Sequence, residues 1–324
     1  MTEIMLKSVL APYITELIAH KQALGYKYIE QSRQLQKFDH FMAEQFPLET
    51  TITHEMMEIW SAKRPYEKEG TVRNRVTPIS HLTAYMQKMG IPAYEFPTDD
   101  LGKELKYTPY IFSEDELKRL FRQIDCCHYS PIVPYRHLIM PVLFRMFYCC
   151  GLRPGEPLRL KVSDVDLPSG VLIIRDSKYG NDRLAPMSEE LAELCREYAK
   201  AVPLSSEGYF FSKPDGEPIS TMNIFSNFRR FLYRAGISYG GKGNGPRLYD
   251  FRHTFAVHCL KRFVESGKNM NSYHQLLKTY MGHSFFKYTS YYLRMTKEMF
   301  PDIRQKLEDR YAGLIPALGG ELDG

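Results

Sequence analysis

The sequence predicts a mainly α protein of two domains with one small β-hairpin or sheet, and three observations carry that expectation. Apolar residues recur at helical spacing through residues 1–90. A stretch punctuated by proline and glycine, without any apolar period, interrupts the chain near residue 105. Two short runs of strand formers flank a turn-forming segment near residue 180. At 324 residues the chain suits two units, each able to bury its own core.

In order, Leu6, Leu10, Ile14, Leu17 and Ile18 form one apolar stripe, and Leu35, Phe38, Phe41 and Met42 a second. Thr53 is placed to cap a helix carrying Met56, Met57 and Trp60. Thr71 can open a fourth helix with Val76, Ile79, Leu82 and Met86, which Gly90 ends. These four short amphipathic helices make a small bundle over residues 1–105. Residues 91–110 hold three prolines, paired aspartates and Gly102, and read as the linker.

The second domain is expected over residues 111–324. Ser113 and Glu116 have capping-box spacing at the start of a helix bearing Leu117, Leu120 and Phe121. His137 to Cys150 is apolar apart from Arg145 and reads as a buried helix. Val171–Arg175 and Arg183–Ala185 flank Lys178-Tyr179-Gly180-Asn181 as the two arms of a hairpin. Ser188 and Ser220 open two further helices, Gly241 to Pro246 forms a glycine-rich loop, and a helix containing Arg252 follows. Residues 302–311 read as a last helix before the apolar run 312–318.

The formal net charge of +5 is unevenly spread: through Tyr110 there are 13 Lys+Arg against 14 Asp+Glu, and afterwards 30 against 24. The basic excess favours a polyanionic partner. The cysteines, Cys126-Cys127, Cys149-Cys150, Cys195 and Cys259, fit neither a zinc spacing nor a disulfide framework, so they are expected to be reduced thiols, with no metal and no cofactor. No apolar run approaches the roughly 20 residues of a membrane span, and no leader pattern is visible, so the expected location is the cytoplasm, away from any membrane.

Three blocks carry the chemistry. They are Gly151-Leu152-Arg153-Pro154-Gly155-Glu156, Tyr249-Asp250-Phe251-Arg252-His253, and Met281-Gly282-His283-Ser284 with Tyr292 nine residues past the histidine. Two arginines suit a phosphodiester, because a planar guanidinium grips two oxygens in a fixed geometry that lysine does not copy. Taken alone, Arg153 serves equally well as a structural arginine paired with Glu156 or Asp164, and Arg252 as a salt-bridge residue. Lys178, flanked by Arg175 and Arg183, would alone be a solvated turn lysine.

In this order and spacing the blocks closely resemble the tyrosine recombinases, the phage-integrase family. The resemblance implies a helical core-binding domain followed by a mixed α+β catalytic domain, closing as a clamp around double-stranded DNA. It also implies site-specific cutting and rejoining through a 3′-phosphotyrosyl intermediate, for integration or excision of a mobile element, by a homo-oligomer assembled on DNA. On this likeness Tyr292 is the nucleophile, Arg153 and Arg252 hold the phosphate, Lys178 protonates the 5′ oxygen, and His283 donates to a phosphate oxygen. The family usually has histidine where this chain has Tyr249, a hydroxyl whose ordinary pKa of about 10 makes it a poor base at neutral pH.

Arg73 and Arg75 resemble DNA-facing positions of the core-binding domain, with Lys63, Arg64 and Lys68 close by; on charge clustering alone this is equally a solvated helix face. The apolar run after residue 311 fits docking on a neighbouring protomer or packing on its own domain. Two rival readings share the fold, a type IB topoisomerase and a non-catalytic DNA-binding regulator; a metal-dependent nuclease lacks its acidic cluster.

Overall fold

The computed structural model describes residues 5–97, 101, 108–175, 182–241, 245–266, 270–282 and 291–292. The chain divides into two compact units, Met1–Tyr107 and Thr108–Gly324.

The first unit holds α1 (Ala11–Ala23), α2 (Ile29–Gln45), α3 (His54–Ser61) and α4 (Glu69–Lys88). Their apolar stripes meet in one core that includes Leu10, Ile14, Leu35, Phe38, Met57, Trp60, Val76, Ile79 and Met86. The buried Asp39 carboxylate ties the entering strand of chain to α2, accepting from the backbone N–H of Lys7 at 2.6 Å and the Ser8 hydroxyl at 2.6 Å. Two boundaries differ from expectation. The first helix begins at Ala11, with Pro12 in its first turn where no N–H is required, so Leu6 lies before it. The fourth opens at Glu69 rather than Thr71. Thr53 caps α3 as its sequence suggests, accepting from the Met56 N–H at 3.4 Å.

The second unit contains α5 (Glu114–Asp125), α6 (Arg136–Cys149), β1 (Val165–Asp166), β2 (Val171–Ile174), β3 (Arg183–Pro186), α7 (Glu189–Ala201), α8 (Thr221–Arg234), α9 (Asp250–Glu265) and α10 (Met270–Met281). The Ser113 box forms in full: the Ser113 hydroxyl accepts from the Glu116 N–H at 3.2 Å and the Glu116 carboxylate accepts from the Ser113 N–H at 2.9 Å. Ser188 and Ser220 cap α7 and α8. The apolar α6 is buried centrally, with Phe144 ringed by Phe147, Phe228, Phe231 and Phe251. Its one charged interior residue, Arg145, turns outward to a two-bond pair with Asp125.

The three strands form an antiparallel sheet in the order β1-β2-β3, with Ile174 opposite Arg183 and Val171 opposite Pro186. The two-residue β1 is an addition to the expected hairpin, too short to announce itself by alternation. The Tyr280 hydroxyl near the end of α10 donates to the Pro186 carbonyl at 3.1 Å, fastening that helix to β3. Among the described residues no helix is long and apolar enough to cross a membrane.

Candidate active site

The site begins where α6 stops. Gly151 turns the chain with φ +56°, a left-handed conformation that glycine adopts at no steric cost, and a Cβ there would stand 2.4 Å from Cδ1 of Phe255. Arg153 follows in a tight turn closed by the Glu156 N–H donating to the Arg153 carbonyl at 2.9 Å. In return the Glu156 carboxylate accepts from the Arg153 N–H and from its Nη1, both at 2.8 Å. The ion pair that the sequence allows between Arg153 and Glu156 is therefore formed, whereas Asp164 pairs with Arg175 at 2.7 Å.

Arg252 sits in the first turn of α9 and has no exposed surface. Its Nη1 donates to the Gly151 carbonyl at 2.7 Å and its Nη2 to the Met281 carbonyl at 2.6 Å. Arg183, the first residue of β3, donates from Nε to the Tyr280 carbonyl at 3.0 Å, and Arg153 donates from Nη2 to the Gly282 carbonyl at 3.2 Å. Three arginines from three separate elements thus bond three successive carbonyls, 280, 281 and 282, at the C-terminal end of α10. A helix leaves such carbonyls unbonded with partial negative charge, which is why cations gather there. The cluster converges immediately before His283.

Glu156 is buried and holds two of these cations. Burial alone would raise its pKa, but the hydrogen bonds and charge of Arg183, with the Arg153 N–H, hold it down at about 2. Burial and the neighbouring Arg153 charge lower the pKa of Arg252. Beside them lies Tyr292, 4% exposed, with its ring centroid 5.4 Å from His253, which in turn lies 5.0 Å from Tyr249. Burial raises the Tyr292 pKa, and the charges of Arg252 and Arg153 act against that rise. Burial and the Arg252 charge depress His253 to about 4, so its ring is neutral at pH 7. Its Nδ1 is buried without a hydrogen-bond partner among the described residues.

Chemically, this is a site for an anion that meets a phenol. The guanidiniums are fixed before any ligand arrives, and a phenol stands within reach of their field in a place with little water.

A model of the phage integrase family matches residues 111–299, more than half of the chain. The chain belongs to the phage integrase family. It is accordingly a tyrosine-type site-specific recombinase. Two curated relatives from Sinorhizobium fredii span nearly all of it. The putative integrase/recombinase y4rB is 28% identical over 92% of this chain and 96% of its own length; y4rE is 30% identical over 84% and 87%. In fold, it is similar to the Tn1549 transposon integrase solved with transposon right end DNA, with TM-score 0.64, 16% identity and 94% and 100% of the two chains covered.

Of the integrase residues singled out by sequence, Arg153, Tyr249, Arg252 and Tyr292 come together. Tyr249 stands at the N-terminal edge of α9 and is 39% exposed. Lys178 and His283, together with the C-terminal helix expected over 302–311 and the run after it, lie outside the described residues. Sequence reasoning gave no site role to Glu156, Arg183 and His253. The Glu156 link to Arg153 was visible as an i,i+3 pair, but nothing local joins Glu156 to Arg183, 27 positions away.

On the first unit, Lys63 and Arg64 are exposed, Lys63 pairing with Glu69. Arg73 is partly buried and donates to the Leu101 carbonyl at 2.5 Å. Arg75 departs from the expected DNA-facing place: it is 5% exposed and turned inward, bonding the Trp60 and Ala62 carbonyls and pairing with Glu67 at 2.7 Å. The physical reason is its position on the buried face of α4 between Val72, Val76 and Ile79, where a guanidinium must be neutralised and bonded.

Proposed function

We propose that Tyr292 is the nucleophile of this recombinase and that Arg153 and Arg252 hold the scissile phosphate of double-stranded DNA. The phenolic oxygen attacks phosphorus, its proton leaves, and the bond to the 5′ oxygen breaks to give a 3′-phosphotyrosyl link and a free 5′ hydroxyl. The hydroxyl of a partner strand reverses the step. The observation that carries this reading is the placement of Tyr292 beside the charges of Arg252 and Arg153, which act against the rise in its pKa that burial causes and would offset the extra charge on a pentavalent phosphorus.

Lys178 is assigned to protonate the leaving 5′ oxygen and His283 to donate to a phosphate oxygen, both on the family likeness. Tyr249 offers one hydrogen bond where relatives place histidine. Bond energy is kept in the phosphotyrosine, so this chemistry calls for neither a metal nor a nucleotide cofactor. Lys63, Arg64 and Arg73 contribute phosphate contacts from the first unit. We further assign the chain to integration or excision of a mobile element in the cytoplasm, acting as a homo-oligomer on DNA.

A duplex nicked beside the scissile phosphate tests the reading, since the short released strand prevents religation. Covalent trapping of protein on this substrate, undiminished by excess chelator, is the expected result. Cleavage that vanishes with EDTA and returns with Mg²⁺ would point to a nuclease instead.

A further inference from the structure

We propose that Arg183 is a positioning residue for the phosphate clamp: by occupying the open edge of the Glu156 carboxylate, it keeps the Arg153 guanidinium free to face the phosphate. This inference rests on the reading of Arg153 given above.

The geometry is specific. Glu156 Oε1 accepts from Arg153 Nη1 at 2.8 Å and from Arg183 Nη1 at 2.9 Å, while Oε2 accepts from the Arg153 N–H at 2.8 Å and from Arg183 Nη2 at 2.7 Å. A carboxylate has about four acceptor sites, and all four are taken. The two-bond fork, the geometry an arginine and a carboxylate prefer, belongs to Arg183. Arg153 is left a single side-chain bond to this carboxylate, so its Nη2 is available to the Gly282 carbonyl and to the space beyond it.

Without Arg183 the vacated fork edge attracts the Arg153 guanidinium, which turns onto Glu156 and away from the substrate. Arg183 also steadies the second support of the clamp. Its Nε bonds the Tyr280 carbonyl and its Cδ would lie 3.0 Å from a Cβ at Gly282, so its stem packs against the end of α10 on which Arg153 and Arg252 lean. The Arg183 side chain is 7% exposed and the Glu156 side chain 1%, which leaves little room for solvent to replace either contact.

The test compares two nicked substrates, one with an ordinary scissile phosphodiester and one with a methylphosphonate there, whose phosphorus carries no negative charge for Arg153 to offset. Arg183→Gln should cleave the phosphodiester roughly a hundredfold slower than the parent, the scale of a small misplacement of a catalytic group, with DNA affinity unchanged. On the methylphosphonate, variant and parent should converge to within about threefold, because the lost interaction was one made with transition-state charge. Arg183→Lys keeps a cation against the buried carboxylate but has no fork; it should show an intermediate loss and the same convergence, and it carries the test if the glutamine variant fails to fold. Arg175→Gln, at the other side of the hairpin with a largely exposed side chain, should match the parent on both substrates. Equal losses on both substrates, or no loss on the phosphodiester, overturn the proposal. Failure of the underlying reading looks different: the parent itself would then form no covalent adduct on the phosphodiester.

Discussion

Arg252 Nη2 donates to the Met281 carbonyl at 2.6 Å, joining the first turn of α9 to the last residue of α10 inside a fully buried contact. On the proposed mechanism Arg252 has two duties, holding α10 through that bond and meeting the phosphate. A lysine variant should fail at both. A single ammonium on a flexible stem cannot reproduce the fork that spans the Gly151 and Met281 carbonyls.

Arg252→Lys should therefore lose both stability and rate: about 1–3 kcal/mol for a charged hydrogen bond left unmade, and cleavage down by roughly 10²–10³. Arg153→Lys should lose rate to a similar extent with a smaller loss of stability, since its side chain is 15% exposed and water can reach it. Chemical denaturation alongside single-turnover cleavage measures the two effects. A lysine variant that cleaves like the parent makes that arginine structural.

Two pH windows follow from two buried groups. The folded pKa of His253 lies at about 4, below its ordinary 6.5, so between those values the unfolded chain binds the proton and the folded chain does not. Stability from this residue is complete above pH 6.5 and falls as pH drops, approaching a loss of about 3 kcal/mol near pH 4. Glu156 acts lower down: its folded pKa of about 2 against an ordinary 4.5 gives stability present above pH 4.5 and lost as pH falls toward 2. Melting temperature against pH should flatten in the upper window for His253→Asn and in the lower one for Glu156→Gln. A His253→Asn curve parallel to the parent's between pH 4 and 6.5 contradicts the assignment.

The left-handed turn after α6 makes Gly151 hard to replace. Gly151→Ala should cost at least about 2 kcal/mol, combining the strain of a positive φ with a Cβ driven into Phe255. Gly216→Ala is the comparison, since its φ of +82° carries the same kind of strain with open space around it. If both variants melt alike, the Phe255 contact is not what fixes this residue.

Most of the fold was legible because its signals are local. Ser113, Ser188 and Ser220 each announced a helix start, and the apolar run before Gly151 announced α6. What escaped was non-local. The burial of Arg75 depends on which face of α4 meets Trp60, and the Arg183–Glu156 pair depends on how a strand is laid against a turn. Clusters of basic residues look alike in sequence whether they face solvent or a buried carboxylate. The motif blocks identified Arg153 and Arg252, but not the helix-end carbonyls that hold them.

Tyr249→His should leave cleavage intact or raise it, because imidazole with an ordinary pKa near 6.5 exchanges protons at neutral pH far better than a phenol. Tyr249 is well exposed at the edge of α9, so the change should fold without difficulty. Tyr249→Phe should cleave more slowly than Tyr249→His. Full activity in the phenylalanine variant means that this hydroxyl makes no contact with the phosphate.

Tyr292 is the proposed point of covalent attachment to DNA. Its neighbour Tyr291 is half-buried, with the two ring centroids 5.9 Å apart, and successive helical residues point about 100° apart, so one of the two faces the arginines. The charges of Arg252 and Arg153 act on Tyr292. The most direct measurement is peptide mapping of the protein trapped on a nicked duplex, supported by Tyr292→Phe and Tyr291→Phe. The expected result is a DNA adduct on Tyr292, lost in Tyr292→Phe with binding nearly unchanged and retained in Tyr291→Phe. An adduct on Tyr291, or none on any tyrosine, contradicts the account.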